Sequence, residues 1–302
     1  MTNFKILKEI GEGGFGIVYL VESTNDQKKY ALKQIEYENI PIKDKERIIQ
    51  EIEIIRMCSH DNIIKIYGLS KSNTSLNILM EYADNGDLFN YIEKYINHPI
   101  PEQDIINIFV QVCMAVKYIH DRKIIHRDIK PENIFLCKNG MVKLGDFGFA
   151  RLLDSTISKV NSGVGTPYYI SPEICNGNPY SAPSDIWSLG CVLYVMCKRK
   201  LPFYGESIPE IMNKIKCCKV TPISNIYSPD IKNLIKSIFQ IDPRKRPTIN
   251  QILSLPIFRY KMMELLGRKT YESEMSHGVF HEQKPGTTPP QYIKDIKINI
   301  NS

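Results

Sequence analysis

The hydrophobic pattern of this chain changes period once, and that change constrains the fold more than any other feature. Up to Tyr82 apolar residues mostly alternate, as in strands. Phe4 to Tyr19 alternates around glycines and predicts a hairpin with a flexible turn. Lys28 to Tyr37 predicts a third strand, and Ile63 to Leu69 and Ser75 to Tyr82 predict two more. Ile42 to Met57 stands apart. Its apolar positions recur at helical spacing among Glu46, Glu51 and Glu53, and it predicts a helix. Asp84-Asn85-Gly86 then breaks the pattern. Beyond it helical spacing dominates. Pro101 to His120 places Ile105, Ile108, Phe109, Val112, Val116 and Ile119 on one face. Ile186 to Cys197, Ile208 to Lys216, Asp230 to Phe239 and Ile249 to Leu253 follow as helices. The expectation is an α+β, bilobal chain: a small β-rich lobe with one key helix, over about 4–82, and a larger, mainly helical lobe, over about 83–258. Such a junction implies a cleft, and clefts are common ligand sites. From Arg259 the periodicity fades, so 259–302 reads as a weakly structured tail.

Composition removes several classes. At 302 residues with 43% apolar and 24% charged residues, the chain is neither disordered nor a coiled-coil rod. A net charge of +6 is a mild excess, not the dense basic stripe of a nucleic-acid binder, so no nucleic-acid partner is expected. The most apolar stretch, Ile186 to Cys197, is about a dozen residues, against roughly 20 for a membrane span, so no membrane partner is expected. Met1 leads almost at once into the alternating pattern, which reads as no leader peptide. Eight cysteines without CxxC spacing fit a reduced, intracellular protein.

Gly11-Glu-Gly13-Gly-Phe-Gly16-Ile-Val18 is a glycine turn between strands. Glycine lets backbone amides approach phosphate oxygens without a Cβ clash. By itself such a turn is as compatible with no ligand at all. No helix follows it and no G-K-[ST] closes it, which excludes the dinucleotide and Walker fingerprints. Lys33 sits on the next strand, where it could pair with phosphates or simply be solvated. His126-Arg127-Asp128-Ile-Lys130-Pro-Glu132-Asn133, Asp146-Phe147-Gly148 and Ser171-Pro172-Glu173 then follow in order.

With these motifs in this order, the chain resembles a eukaryotic protein kinase over about Phe4 to Phe258. The resemblance implies phosphoryl transfer from ATP with Mg²⁺, Mn²⁺ being able to substitute. Phosphoryl transfer needs charge neutralisation and in-line positioning more than covalent catalysis. Asp128 would accept or orient the hydroxyl proton, and Lys130 would contact the transferring phosphate, as in Ser/Thr kinases. Asn133 and Asp146 would hold the metal. Lys33 would grip the α/β-phosphates, itself held by Glu51, preferred over Glu53 on spacing to the His60-Asp61-Asn62 turn. Gly11, Gly13 and Gly16 would cover the phosphates. Val18 and Ala31 would roof the adenine, with Phe135 below it, Met80 behind it, Glu81 to Ala83 offering backbone groups, and Asp87 reaching the ribose. His126 would be a packing residue beneath Phe147. Asp185 would anchor the catalytic-loop backbone, and Glu173 would pair with Arg246.

Leu144-Gly-Asp146-Phe-Gly148, Gly165-Thr166-Pro-Tyr-Tyr-Ile-Ser-Pro-Glu173 and Ser184-Asp185-Ile-Trp187-Ser-Leu-Gly-Cys-Val-Leu-Tyr194 are similar to the NIMA-related (never-in-mitosis) kinases. That likeness implies protein substrates and cell-cycle, centrosomal or ciliary roles in the cytoplasm or nucleus. Phe149 after the Asp-Phe-Gly motif implies Ser favoured over Thr. The family favours an apolar residue three before the acceptor, although Asp87 and Glu132 stand where basophilic kinases receive an arginine. Arg127 implies a charged activation loop. Ser162, four residues before Thr166, is the candidate phosphosite, with Arg127, Arg151 and Arg47 to receive the phosphate, added by an upstream kinase or in trans by a second copy. Thr166 would contact Asp128 and Lys130. Two rival readings stand beside this one: a Ser/Thr kinase of the calcium/calmodulin-dependent type, and a pseudokinase scaffold, which would need a damaged Lys33, Asp128 or Asp146.

Overall fold

The computed structural model describes residues 2–13, 16–36, 38, 42–72, 74–147, 167–268, 270–272 and 296–299. These residues form two compact units: one within 2–84 together with 296–299, the other within 85–147 and 167–272. The α+β expectation holds, and each unit has the predicted bias.

In the first unit β1 (Thr2–Gly13), β2 (Gly16–Ser23), β3 (Lys29–Glu36), β4 (Ile66–Lys71) and β5 (Ser75–Glu81) are antiparallel neighbours, joined by the helix α1 (Ile42–Arg56). A sixth strand, β8 (Ile296–Asn299), pairs parallel with the free edge of β1, giving the order β4-β5-β3-β2-β1-β8. The sheet curls enough to bring β8 near β4 at the opposite edge. Alternation gives the sheet two faces. On one, Phe4, Val21, Leu32 and Leu79 are buried to 1% exposure or less, with Ile6, Tyr19, Tyr30 and Tyr67 packed around them. Each such buried side chain contributes roughly 1.5–3 kcal/mol. Tyr30 stands edge-on to both Phe4 and Tyr67.

The second unit is built on two helices. α3 (Glu102–Asp121) buries the predicted face and most of its opposite face too, including Gln111 and Lys117. The polar pair survives burial because each is satisfied: Gln111 bonds the Gly140 carbonyl and the Val142 amide, and Lys117 pairs with Asp121 at 2.7 Å. α5 (Ala182–Lys198) is buried from Ser184 to Cys197. Its Trp187 stacks on Phe203 at 5.4 Å and meets Phe239 edge-on at 5.1 Å. Around these lie α2 (Leu88–Glu93), the short helix α4 (Pro172–Cys175), α6 (Ile208–Cys217), α7 (Pro229–Ile238), α8 (Ile249–Leu253) and α9 (Pro256–Leu266), with the small hairpin β6 (Ile134–Leu136) and β7 (Val142–Leu144).

Two differences from the sequence reading have clear causes. α5 begins at Ala182 and α7 at Pro229, earlier than hydrophobic spacing suggests, because helix starts are set by caps. Ser228 accepts the Ile231 amide, and Pro229 fits the first helical position. The periodicity that fades at Arg259 does not end structure there. α9 runs through it, burying Phe258 and Met262, and Tyr271 is buried beyond it. Among the described residues, no helix is long and apolar enough to cross a membrane.

Candidate active site

The sheet register assembles the nucleotide-binding candidates of the first unit on one face. Gly11 lies opposite Val18, and Val18 opposite Lys33. Ala31 lies opposite Met80, two residues along β3 from Lys33. Partners in register share a face, so Gly11, Val18, Ala31, Lys33 and Met80 stand together on the side opposite the Phe4 cluster. Val18 and Lys33 are half-buried, and Ala31 and Met80 are buried. Glu81 ends β5. Its amide donates to the Lys65 carbonyl at 2.8 Å, and Ala83 lies beyond the ladder.

The glycines of the turn have different reasons. Gly16 has φ +133°, and a Cβ there would collide with the Gln34 carbonyl, so β3 itself demands glycine. A Cβ on Gly11 would meet only Val18, at an ordinary 4.0 Å. The packed protein does not require glycine at 11, and the room it leaves is on the Lys33 face, as a phosphate cradle requires. Gly13 closes β1.

On α1, Glu53 turns to its own helix and pairs with Arg56 at 2.7 Å. Glu51, two residues away and half-buried, is on another side of the helix. The Arg47 side chain lies outside the described residues, as do Phe149, Arg151, Ser162 and Thr166.

The second unit holds the catalytic-loop candidates, and α5 positions them. Asp185, fully buried, accepts the His126 amide at 2.9 Å and the Arg127 amide at 3.0 Å, and bonds His120 Nε2 at 2.8 Å. This is the expected anchoring of the loop, with His120 as a partner that no motif in the sequence announced. The anchoring matters because Arg127 has a φ of 70°. Left-handed backbone costs non-glycine residues about 1–3 kcal/mol each and persists only where neighbours enforce it.

The buried ring of His126 lies 4.5 Å from that of Phe147, as expected. Its Nε2 donates to the Gly145 carbonyl at 3.1 Å, and its Nδ1 accepts the Asp128 amide at 3.3 Å. Both bonds suit the neutral ring, and burial pushes its pKa below the usual histidine value.

Asp128 projects from this loop half-buried. Its Oδ2 accepts from Asn133 Nδ2 at 2.9 Å and from Lys130 Nζ at 2.9 Å. Asn133 Nδ2 also donates to the Asp128 carbonyl at 2.8 Å. The amide nitrogen of Asn133 is thus engaged with backbone and carboxylate oxygens, which leaves its oxygen as the candidate donor for a metal. Asn133 oxygen and the Asp146 carboxylate are hard donors suited to Mg²⁺. The Gly145 amide, next to Asp146, bonds the Asn133 carbonyl at 3.0 Å, so the two candidate ligands are tied through the backbone.

Phe135 and Asp87 form an isolated antiparallel bridge, which sets the expected floor residue beside the expected ribose residue. Asp87 has a further role that the sequence reading lacked: it caps α2, Oδ1 accepting the Asn90 amide at 2.7 Å and Oδ2 the Asn90 side chain at 2.9 Å. The Asp-x-x-Asn spacing at the start of a helix was the signal for it. The Glu132 carboxyl is pushed up by partial burial and by the fields of Asp128 and Asp87, against the pull of Lys130. Further off, Glu173 and Arg246 form the expected pair, two-pronged at 2.7 and 2.8 Å. Burial alone would raise the Glu173 carboxyl, but the guanidinium holds it below its ordinary value.

The family model for the protein kinase domain matches residues 4–258. Serine/threonine-protein kinase Nek5 of Homo sapiens is 42% identical over 278 residues, covering 92% of this chain and 39% of that protein. Serine/threonine-protein kinase Nek1 of Mus musculus is 43% identical over 253 residues, 84% of this chain and 21% of that protein. G2-specific protein kinase fin1 of Schizosaccharomyces pombe is 38% identical over 280 residues, 85% of this chain and 39% of that protein. The chain spans well under half the length of these relatives. With the catalytic-loop geometry and these matches together, the chain belongs to the protein kinase family, in its NIMA-related serine/threonine group.

Proposed function

We propose that the chain transfers the γ-phosphoryl group of ATP to serine hydroxyls of proteins, with threonine less favoured. The observation that carries this reading is the Asp128 carboxylate, set on a strained, α5-anchored loop with Asn133 and Lys130 on one oxygen. The acceptor hydroxyl oxygen bonds to the γ-phosphorus as the bond to the β,γ-bridging oxygen breaks. ADP leaves, and the hydroxyl proton passes to Asp128. Lys130 neutralises charge on the transferring group. Lys33, held by Glu51, grips the α/β-phosphates. Gly11, Gly13 and Gly16 offer backbone amides to the phosphates, Val18, Ala31, Met80 and Phe135 enclose the base, and Glu81 and Ala83 address its edge. Asp87 faces the ribose. Asn133 and Asp146 would hold Mg²⁺, or Mn²⁺ in its place, which neutralises phosphate charge when bound.

An apolar residue three before the acceptor is part of this reading. Phosphorylation of Ser162, by an upstream kinase or in trans, is the proposed activating event. The name of one relative, G2-specific protein kinase fin1, supports a cell-cycle role; cytoplasmic, centrosomal, ciliary or nuclear sites are part of the same proposal. The intact Lys33, Asp128 and Asp146 argue against a scaffold without activity.

The test is γ-phosphate transfer to a serine peptide by wild type and Asp128→Asn, with nucleotide binding measured in parallel. Transfer should fall about 10²–10⁴-fold while nucleotide binding persists. Transfer at the wild-type rate in the variant would sink the assignment.

A further inference from the structure

The edge of β1 that faces away from β2 carries a feature that none of the kinase motifs accounts for. Thr2, Asn3, Phe4 and Lys5 lie in parallel register with Ile296, Lys297, Ile298 and Asn299. The rest of this sheet is antiparallel and built from strands within 2–81, so β8 is an addition from a distant part of the chain. Without it, β1 would present a row of unpaired backbone N–H and C=O groups, a ready template for another strand. The sequence of the added segment suits that template. Ile296, Ile298 and Ile300 alternate with Lys297 and Asn299, a strand period built from β-branched residues. The register sets Ile298 opposite Phe4, which anchors the sheet's core at 1% exposure. The curl that brings β8 near β4 means the addition also narrows the gap between the two sheet edges.

We propose that the outer edge of β1 is a strand-addition site whose occupant is the chain's own segment Ile296–Asn299, acting as a releasable latch on the first unit. Strand addition takes its affinity from main-chain hydrogen bonds and its selectivity from alternate side-chain positions. The tether works for the latch, because the entropy of closing a loop grows only slowly with its length. The short ladder works against it, because few residue pairs hold the segment in place. The latch therefore opens at far lower free energy than the core strands. β1 is also the strand that ends in Gly11 and Gly13, so the far end of the chain and the glycine turn share one element.

The experiment is amide hydrogen exchange on the whole chain, comparing wild type with Lys297→Pro/Ile298→Pro. Proline removes a ladder donor, and two in succession cover both hydrogen-bonding parities. Amides of Thr2 to Ile6 on the edge away from β2 should exchange about tenfold faster or more, while β3 amides keep their protection. Lys297→Ala, which keeps the backbone donor, should behave as wild type. Equal exchange in wild type and the double-proline variant would overturn the latch. Loss of protection in Lys297→Ala matching that of the double variant would remove the backbone ladder as its cause. Protection that rises with protein concentration would place the strand on a second copy and overturn the intramolecular form.

Discussion

Single side chains decide how this chain holds its catalytic loop and the segments around it, and three of them are testable through stability alone. His126 is buried and neutral, with Nε2 donating and Nδ1 accepting. Its folded pKa lies below the unfolded value of about 6.5, so the unfolded chain takes up the proton first. The stability this contributes is fully present above that pH and is lost as pH falls through it towards the lower folded value. Melting temperatures between about pH 7.5 and 5.5 should therefore drop more steeply for wild type than for His126→Phe; parallel slopes would contradict the assignment. Glu173 and Arg246 obey a different rule. Arg246 also reaches the carbonyls of Gln240, Pro183 and Ile241, so it ties several segments to one carboxylate. Arg246→Met strands a buried charge and should cost about 3–5 kcal/mol in urea unfolding. Glu173→Met/Arg246→Met removes the stranded charge and should recover part of that loss, which a double-mutant cycle would read directly.

At the level of elements, α5 is the part on which the second unit depends. It supplies Asp185 to the catalytic loop and Trp187 to the aromatic core, and its one glycine lets α7 approach. A Cβ at Gly190 would collide with Ile238 Cγ2, and Phe239 lies just behind. Gly190→Ala gains helix propensity but forces Ile238 aside, and overpacking of this kind typically costs about 1–3 kcal/mol. The expected outcome is a lowered unfolding midpoint together with reduced phosphoryl transfer, because the strained contact lies on the helix that also holds Asp185. An unchanged midpoint would mean that α7 moves freely, contrary to its burial of Ile231, Leu234 and Ile238.

For the molecule as a whole, the open question is how activity is switched. Arg127 sits in left-handed backbone beside Asp128, and a cation there invites a phosphate on the activation segment. Ser162 is the proposed acceptor. A phosphate would add about −1.5 to −2 charge and three acceptor oxygens. Phosphatase treatment of active protein should lower its rate to that of Ser162→Ala. Full activity in both, with no gain in the phosphorylated wild type, would exclude a phosphate-driven switch at this residue.

Much of this was legible in the order of residues, for a physical reason. Backbone conformation at Gly16, hydrophobic period in β1 to β5 and α3, and the chemistry of Asp128, Asn133 and Asp146 are local properties, carried by a residue and its near neighbours. The pairings Asp185 with the loop and Glu173 with Arg246 came through the family likeness, since no local pattern links positions so far apart. Other features waited for the tertiary structure. His120 joins Asp185 only because α3 packs against α5. Glu53 is committed to Arg56 and Asp87 to Asn90 by side-chain choices that the sequence left open among several partners. The helix through Arg259 is weakly periodic, and the four-residue strand at Ile296–Asn299, though it alternates, is too short to announce itself. Each is held by the surface it meets: Phe109 beneath Phe258 in one case, the vacant hydrogen-bonding edge of β1 in the other. Sequence determined what each segment could do, and long-range packing decided which of those options was taken, because burial and backbone pairing outweigh local preference wherever they meet.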